Sequence, residues 1–314
     1  MRIDNDVDIS GGRSASSSFL IVLGFLFAGF FIGQLVGGLS ALILALLNGL
    51  TLGEMTSDPN AIYDYLSLTQ VLFTQSLYSI VFTFITPWFY LKVLSGKTIG
   101  HLSPGAIISP KIALFAFLAT AGFMFVNAYF IEWNEGIQLP EFMSGFEKLV
   151  RELEDQLAEA TKRFTTFTNF GEFLVGFVVI AIIPGIGEEL LFRGVLQNSL
   201  HKLTKNKHIA IWVAAFIFSA IHIQFYGLVP RMMLGAVFGY LYVWSGNLWY
   251  PMIAHATNNG LAVIITYASQ SSEGEFDIDK VESVPLPLKI GGAILFLVMI
   301  FLFKKEVSKQ NAKL

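Results

Sequence analysis

Glu188 and Glu189 are adjacent carboxylates inside an apolar stretch, and Arg193 follows the second of them by four residues. Ionisable groups at membrane depth are costly and usually functional or paired. Two neighbouring carboxylates are costlier still, because like charges at this range raise at least one pKa. Arg193 stands one helical turn beyond Glu189, with the acid N-terminal to the base, the favourable order for an ion pair on a helix. Glu189 therefore has a natural structural partner. Glu188 projects about 100° away around the helix and is left free to take a proton from water, the work of a general base. Just upstream, Pro184-Gly185-Ile186-Gly187 is expected to weaken or break the helix. Irregular backbone at membrane depth is tolerated where it lines a cavity or is buried in protein, so water is expected to reach the acids there.

Two histidines join them. His222 follows Phe218 by one turn, and His255 precedes Asn259 by one turn, so each pair shares a helix face. Imidazole and carboxamide together can bind water, a metal or a developing oxyanion. A lone membrane histidine is as readily explained by an interhelical hydrogen bond. A set comprising Glu188, Glu189, Arg193, His222, His255 and Asn259, drawn from three nearby helices, is not.

The elements that must hold this set are membrane spans. Of 314 residues, 54% are hydrophobic and 14% charged, against roughly 25% charged in an average soluble domain. The chain has no cysteine, which removes disulfides, thiolate metal sites and cysteine nucleophiles together. Its net charge of −3 gives no indication of nucleic-acid binding. Apolar stretches near the spanning length of about 20 residues cover residues 18–50, 70–94, 112–130, 172–191, 209–225, 229–244, 248–267 and 288–303. The expected fold is all-α: a polytopic transmembrane bundle of about eight helices, with the site between the fourth, fifth and seventh.

The expected organisation has five parts: a polar N-terminal tail (1–17), N-terminal transmembrane helices (18–131), an extramembrane amphipathic segment (132–171), a helical core that carries the polar set (172–268), and a loop, last span and basic tail (269–314). Lysines and arginines set the orientation. With the N-terminus inside, the cytoplasmic segments carry Arg2 and Arg13, then Lys92, Lys97 and Lys111. They continue with Lys202, Lys205 and Lys207, and end with Lys304, Lys305, Lys309 and Lys313. The outer loop after residue 268 holds only Lys280, and the exception is the long outer segment with Lys148, Arg151, Lys162 and Arg163. In that segment Phe146, Leu149, Val150, Leu153 and Leu157 fall at helical spacing, which describes an amphipathic helix lying at the interface or capping the bundle. Both termini are expected on the cytoplasmic side, and the inside-positive loops suit a bacterial cytoplasmic membrane.

The sequence resembles the CAAX protease and bacteriocin-processing family of intramembrane proteases, which includes the prenyl-protein CAAX endopeptidase. Glu188-Glu189-Leu-Leu-Phe-Arg193 matches its E-E-x-x-x-R signature, Phe218-Ser-Ala-Ile-His222 its F-x-x-x-H motif, and His255-Ala-Thr-Asn-Asn259 its H-x-x-x-N motif. The resemblance covers about residues 172–267. It implies that Glu188 and His222 activate water, that His255 and Asn259 stabilise the oxyanion, and that Glu189 and Arg193 support them. The implied function is an endopeptidase acting on a peptide or protein substrate at the membrane, with lipid as its other partner and no nucleic acid. Glu188, His222 and His255 would also suffice as zinc ligands with an open position. The helix signature H-E-x-x-H is absent, and a glutamate-activated water needs no ion. A proton-coupled transporter is the alternative from another class, since embedded acids and histidines also relay protons, but no internal repeat accompanies them. A non-catalytic relative of bacteriocin-immunity type is the third reading.

Overall fold

The computed structural model describes residues 7–103, 107–271 and 284–312. Arg2, Lys280 and Lys313 lie outside them. Among the described residues the chain is all-helical, and ten helices make the bundle. In chain order they are α1 (Ala15–Leu47), α2 (Leu52–Ser57), α3 (Leu68–Ser95), α4 (Pro110–Glu135) and α5 (Ser144–Thr165). There follow α6 (Phe170–Thr204), α7 (Lys207–Ala220), α8 (Leu228–Ser245), α9 (Trp249–Ser271) and α10 (Leu286–Asn311).

Five of these, α1, α3, α4, α6 and α10, are long and apolar enough to cross a membrane, which makes the chain an integral membrane protein. Each of the eight expected spans coincides with a helix. However, α7 is shorter than a full span, and α8 and α9, which carry polar site residues, fall below the same apolarity. The outward faces of α1 and α10 expose Phe27, Phe31, Leu35, Leu297 and Phe301. Apolar surface on this scale is stable only against lipid.

Two apolar cores hold the bundle. Val22 and Leu26 of α1, Phe82 of α3, Phe192 of α6 and Phe218 of α7 form one. Ile112 and Phe123 of α4, Phe238 of α8, Tyr250 of α9 and Phe303 of α10 form the other. Arg193 lies against Phe218 of the first and Phe238 of the second, so the polar set is held where the two packed units meet.

Helix α6 corrects two expectations. It does not break at Pro184: it runs unbroken from Phe170 to Thr204, with widened turns over Val178–Ile182 and Leu190–Gln197. Such turns commonly accommodate an irregularity inside a continuing helix, often at functional sites. It also extends 13 residues past the expected end at Leu191, then turns tightly into α7. Lys205 takes a left-handed conformation (φ 55°), and the Asn206 side chain caps α7 by accepting the N–H groups of His208 and Ile209. Counted from this hairpin, Glu188 lies 16 residues up α6 and His222 lies 15 residues beyond the start of α7, about 24 and 22 Å respectively. The expected ends, at residues 191 and 209, put Glu188 three residues and His222 thirteen residues from the same side, and so at different depths; the actual ends bring them level.

Gly185 lets α9 approach α6. A Cβ at Gly185 would stand 2.8 Å from Ala256 N and 2.9 Å from its Cα, backbone atoms that cannot rotate away. Gly185→Ala is expected to destabilise the protein by about 1–3 kcal/mol, the cost of overpacking a tight interior, read as a lowered unfolding temperature in detergent. An unchanged unfolding temperature would mean that α6 and α9 are not in close contact.

The charged ends of several helices gather at one end of the bundle. Asp8 pairs with Lys202 at 2.8 Å, Arg13 donates to Leu94 O at 2.6 Å, and Lys111 pairs with Glu306 at 3.1 Å. At the other end the amphipathic helix α5 docks on the loop between α7 and α8. Tyr226 N–H donates to Glu154 Oε1 at 2.6 Å, the Arg151 guanidinium lies 4.3 Å from the Tyr226 ring centroid, and Glu147 accepts from Arg151 at 2.8 Å. The bonds from Arg151 and from Leu139 N–H hold the Glu147 carboxyl below the usual carboxylate range. A carboxylate with a depressed folded-state pKa contributes stability above its unfolded pKa, and that stability is lost as pH falls through the folded value. Amide exchange in 221–227 is therefore expected to stay slow from pH 7 to about pH 5, above the ordinary Glu range near 4.3, and to quicken only below that range. Quickening at or above pH 5 would show that this carboxylate does not hold α5 down.

Candidate active site

Glu189 is the hub. It is fully buried, and its Oε1 accepts from Arg193 Nη1 at 2.8 Å and from His255 Nδ1 at 2.8 Å. The i, i+4 spacing on α6 thus forms the expected ion pair. Arg193 is buried too, and its Nη2 donates to Gly235 O of α8 at 2.9 Å. Its guanidinium lies 4.8 and 5.4 Å from the ring centroids of Phe218 and Phe238. A buried charge pair needs this many partners to offset its desolvation.

His255 joins the two glutamates. With Nδ1–H given to Glu189, a neutral ring presents its Nε2 lone pair, and Nε2 stands 3.7 Å from Glu188 Oε2. That is too long for a direct hydrogen bond and short enough for one water to touch both. Phe238 stacks on the imidazole at 5.0 Å with an interplanar angle of 21°, fixing the ring plane. Glu188 is the less buried of the two acids, its side chain 18% exposed against 0% for Glu189. The division expected from the helical wheel, one acid paired and one free, is therefore present.

Asn259 has a definite reason to be where it is. In a regular helix Ile180 O would accept from the N–H at position 184, which is proline and has none. Asn259 Nδ2 donates to Ile180 O at 3.2 Å. Pro184 thus leaves a carbonyl open and α9 answers it with the asparagine, which ties the third motif to the first.

His222 lies just past the end of α7. Its Nδ1–H donates to Phe218 O at 2.9 Å, which leaves Nε2 as a free acceptor. Phe218 stands between the two imidazoles, its ring centroid 5.3 Å from His222 and 5.8 Å from His255. Among the described residues His222 shares no hydrogen bond with either glutamate. The structure thus joins Glu189, Arg193 and His255 directly, sets Glu188 3.7 Å from His255, fixes Asn259 to the same helix pair, and leaves His222 alongside. The next residue, Ile223, has φ 56°, a strained conformation for a β-branched side chain. Asn134 of α4 clamps this loop, donating to Phe225 O at 3.3 Å and accepting from Val229 N–H at 2.9 Å.

Zinc does not fit this arrangement. Among the described residues no three His, Cys, Asp or Glu side chains are grouped to hold a metal ion, and His255 Nδ1 is engaged by Glu189. Glu188, His222 and His255 do not form a ligand set as they stand.

Sequence reasoning passed over Arg231, although it sits in the apolar run 229–244. The test applied to the embedded acids, an ionisable group at depth, would have found it had it been applied to the bases. It equally passed over Phe238 and Asn134, which carry no signal as single residues because aromatics and asparagines are common in such helices.

The fold and the site define a class: a polytopic helical membrane protein with a buried Glu-Glu-Arg-His cluster. Residues 170–261 match the family model described as type II CAAX prenyl endopeptidase, Rce1-like. The chain is 33% identical over 82 residues to the uncharacterized protein YpbD of Bacillus subtilis (strain 168), which is 25% of this chain and 39% of that protein. It is 32% identical over 90 residues to the membrane-embedded CAAX protease MroQ of Staphylococcus aureus (strain USA300), which is 27% of this chain and 36% of that protein. The matches thus span little more than a third of each relative's length. No solved structure matches the chain. The resemblance to the CAAX protease family is shown over the segment that holds every site residue.

Proposed function

We propose that the chain is an intramembrane endopeptidase that hydrolyses a peptide bond with water activated by Glu188. The observation that carries this reading is the placement of His255, donating to buried Glu189 and facing Glu188 across 3.7 Å. A carboxylate and an imidazole that can share one water form the minimal apparatus for drawing a proton from it. Glu188 takes that proton and returns it to the leaving amine as the C–N bond breaks. His222, with Nε2 free, assists from the Phe218 side. Asn259 donates to the oxyanion as the carbonyl becomes tetrahedral, and His255 joins it when its ring carries a proton at Nε2. Glu189 and Arg193 are positioning residues that hold the His255 ring. In this reading the protein sits in a bacterial cytoplasmic membrane with both termini inside, which the lysines and arginines of the inner segments support.

The test is cleavage by the purified protein in liposomes, against a panel of membrane-embedded and lipidated peptides. Wild type is expected to cleave at least one, and Glu188→Ala and His222→Ala to lose that activity. Cleavage is expected to survive a strong chelator, since no step is assigned to a metal. Cleavage that persists in Glu188→Ala overturns the mechanism, and loss to chelator overturns its metal-free form.

A further inference from the structure

Arg231 is the second guanidinium embedded in the bundle, and its situation is the reverse of that of Arg193. It lies in the first turn of α8 and donates through Nη2 to Gln224 Oε1. Its Nη1 is buried and has no hydrogen-bond partner. A guanidinium nitrogen buried without a partner is costly, and the planar fork of arginine is the group that best matches a carboxylate.

The group faces a cavity of about 530 Å³, lined by Arg231, Asn127 of α4, Glu154 of α5, Gln224 and Asn258 of α9 among others. Asn127 on the α4 wall is 6% exposed, and its Oδ1, buried beneath the surface, has no partner. The volume falls within the usual range of ligand pockets, about 300–1,000 Å³, and so has room for a short stretch of peptide. It adjoins the catalytic groups, because Asn258 Nδ2 donates to Asn259 Oδ1 at 3.1 Å.

We infer that this chamber is a substrate subsite and that Arg231 receives a carboxylate of the bound peptide, either its chain terminus or an acidic side chain. The inference rests on the protease reading for the nature of the ligand. Two features make the subsite directional. Glu154 and Asp155 stand on the α5 wall and Glu135 on the α4 wall, where they repel an anion and leave the guanidinium as its favourable place. Asn127 offers a neutral amide, suited to a backbone N–H or C=O of the same peptide. The competing account is that Arg231 only offsets the charge of Glu188. That account gives no preference for a charged peptide over a neutral one.

The two accounts separate in a binding measurement on Glu188→Gln protein in detergent micelles, where no cleavage intervenes. The probe is a fluorescein-labelled pentapeptide of alternating alanine and leucine in three forms: a free carboxylate end, a carboxamide end, and a carboxamide end with an internal glutamate. At least one carboxylate form is expected to bind about ten-fold tighter than the uncharged form, in line with a charge-assisted hydrogen bond, and which one does so identifies the source of the anion. Adding Arg231→Gln is expected to abolish the preference, with the elution profile and unfolding temperature showing that the variant is folded. Arg231→Lys is expected to keep part of the preference, because it keeps the charge without the fork. Equal binding of all three peptides, no binding of any, or a preference that survives Arg231→Gln overturns the inference. The protease reading fails separately, by absence of cleavage in wild type.

Discussion

Glutamine in place of Glu188 is expected to cut peptide cleavage by about 10²–10⁴-fold, the usual contribution of a positioned general base, with no loss of folded protein. The substitution keeps the size of the side chain and removes only its capacity to take a proton. Glu188 is also the acid that can change without damage, since it holds no ion pair with Arg193 and lies 3.7 Å from His255, outside hydrogen-bond range. Its side chain keeps some exposure where that of Glu189 keeps none. The measurement is the single-turnover rate on whichever peptide wild type cleaves, with the elution profile and unfolding temperature as controls. A rate within a factor of about ten of wild type in a well-folded variant would move the base elsewhere; the other carboxylate, Glu189, already receives bonds from Arg193 and His255.

Arg193→Ala is expected to be the most damaging single change to stability, at about 3–5 kcal/mol, because it leaves Glu189 buried and unpaired. The guanidinium is bonded to Glu189 and to Gly235 O, and it packs against Phe218 and Phe238, so removal opens α6, α7 and α8 at one point. Replacing both members of the pair, Arg193→Met with Glu189→Leu, is expected to cost less than Arg193→Ala alone, since no charge is then stranded. Unfolding temperatures of the two variants in one detergent decide it. If the double variant is the weaker, hydrogen bonds to His255 and Gly235 matter more than the charge balance. The same pair separates stability from catalysis: restored stability without restored cleavage is expected, because the double variant no longer fixes the His255 ring.

The legibility of this site differed residue by residue. The Glu189–Arg193 pair and the freedom of Glu188 followed from spacing on one helix, and both are present. Local geometry suffices there because i and i+4 positions face each other whatever surrounds them. The role of Pro184 did not follow. A proline with two nearby glycines reads locally as a break, but neighbouring helices decide the outcome. Wide turns carry α6 through, α9 packs against Gly185, and Asn259 takes the carbonyl that proline leaves open. Depth along the bundle was equally out of reach, since the hairpin at Lys205 sets the level of Glu188 against His222 and no single apolar stretch records where its neighbour ends.

The sequence by itself determined the solvent of this protein, its all-helical class and the kinds of group that its chemistry can use. Composition and periodicity are summed over many residues and survive errors at any one of them. The tertiary structure alone decided that His255 bonds to Glu189 and faces Glu188, that Phe218 lies against both imidazoles, and that Arg231 lines a cavity with Glu135, Glu154 and Asp155. Those facts depend on how α6 to α9 pack against one another. A side chain's partners on other helices are set by packing across distances in sequence that no local pattern encodes.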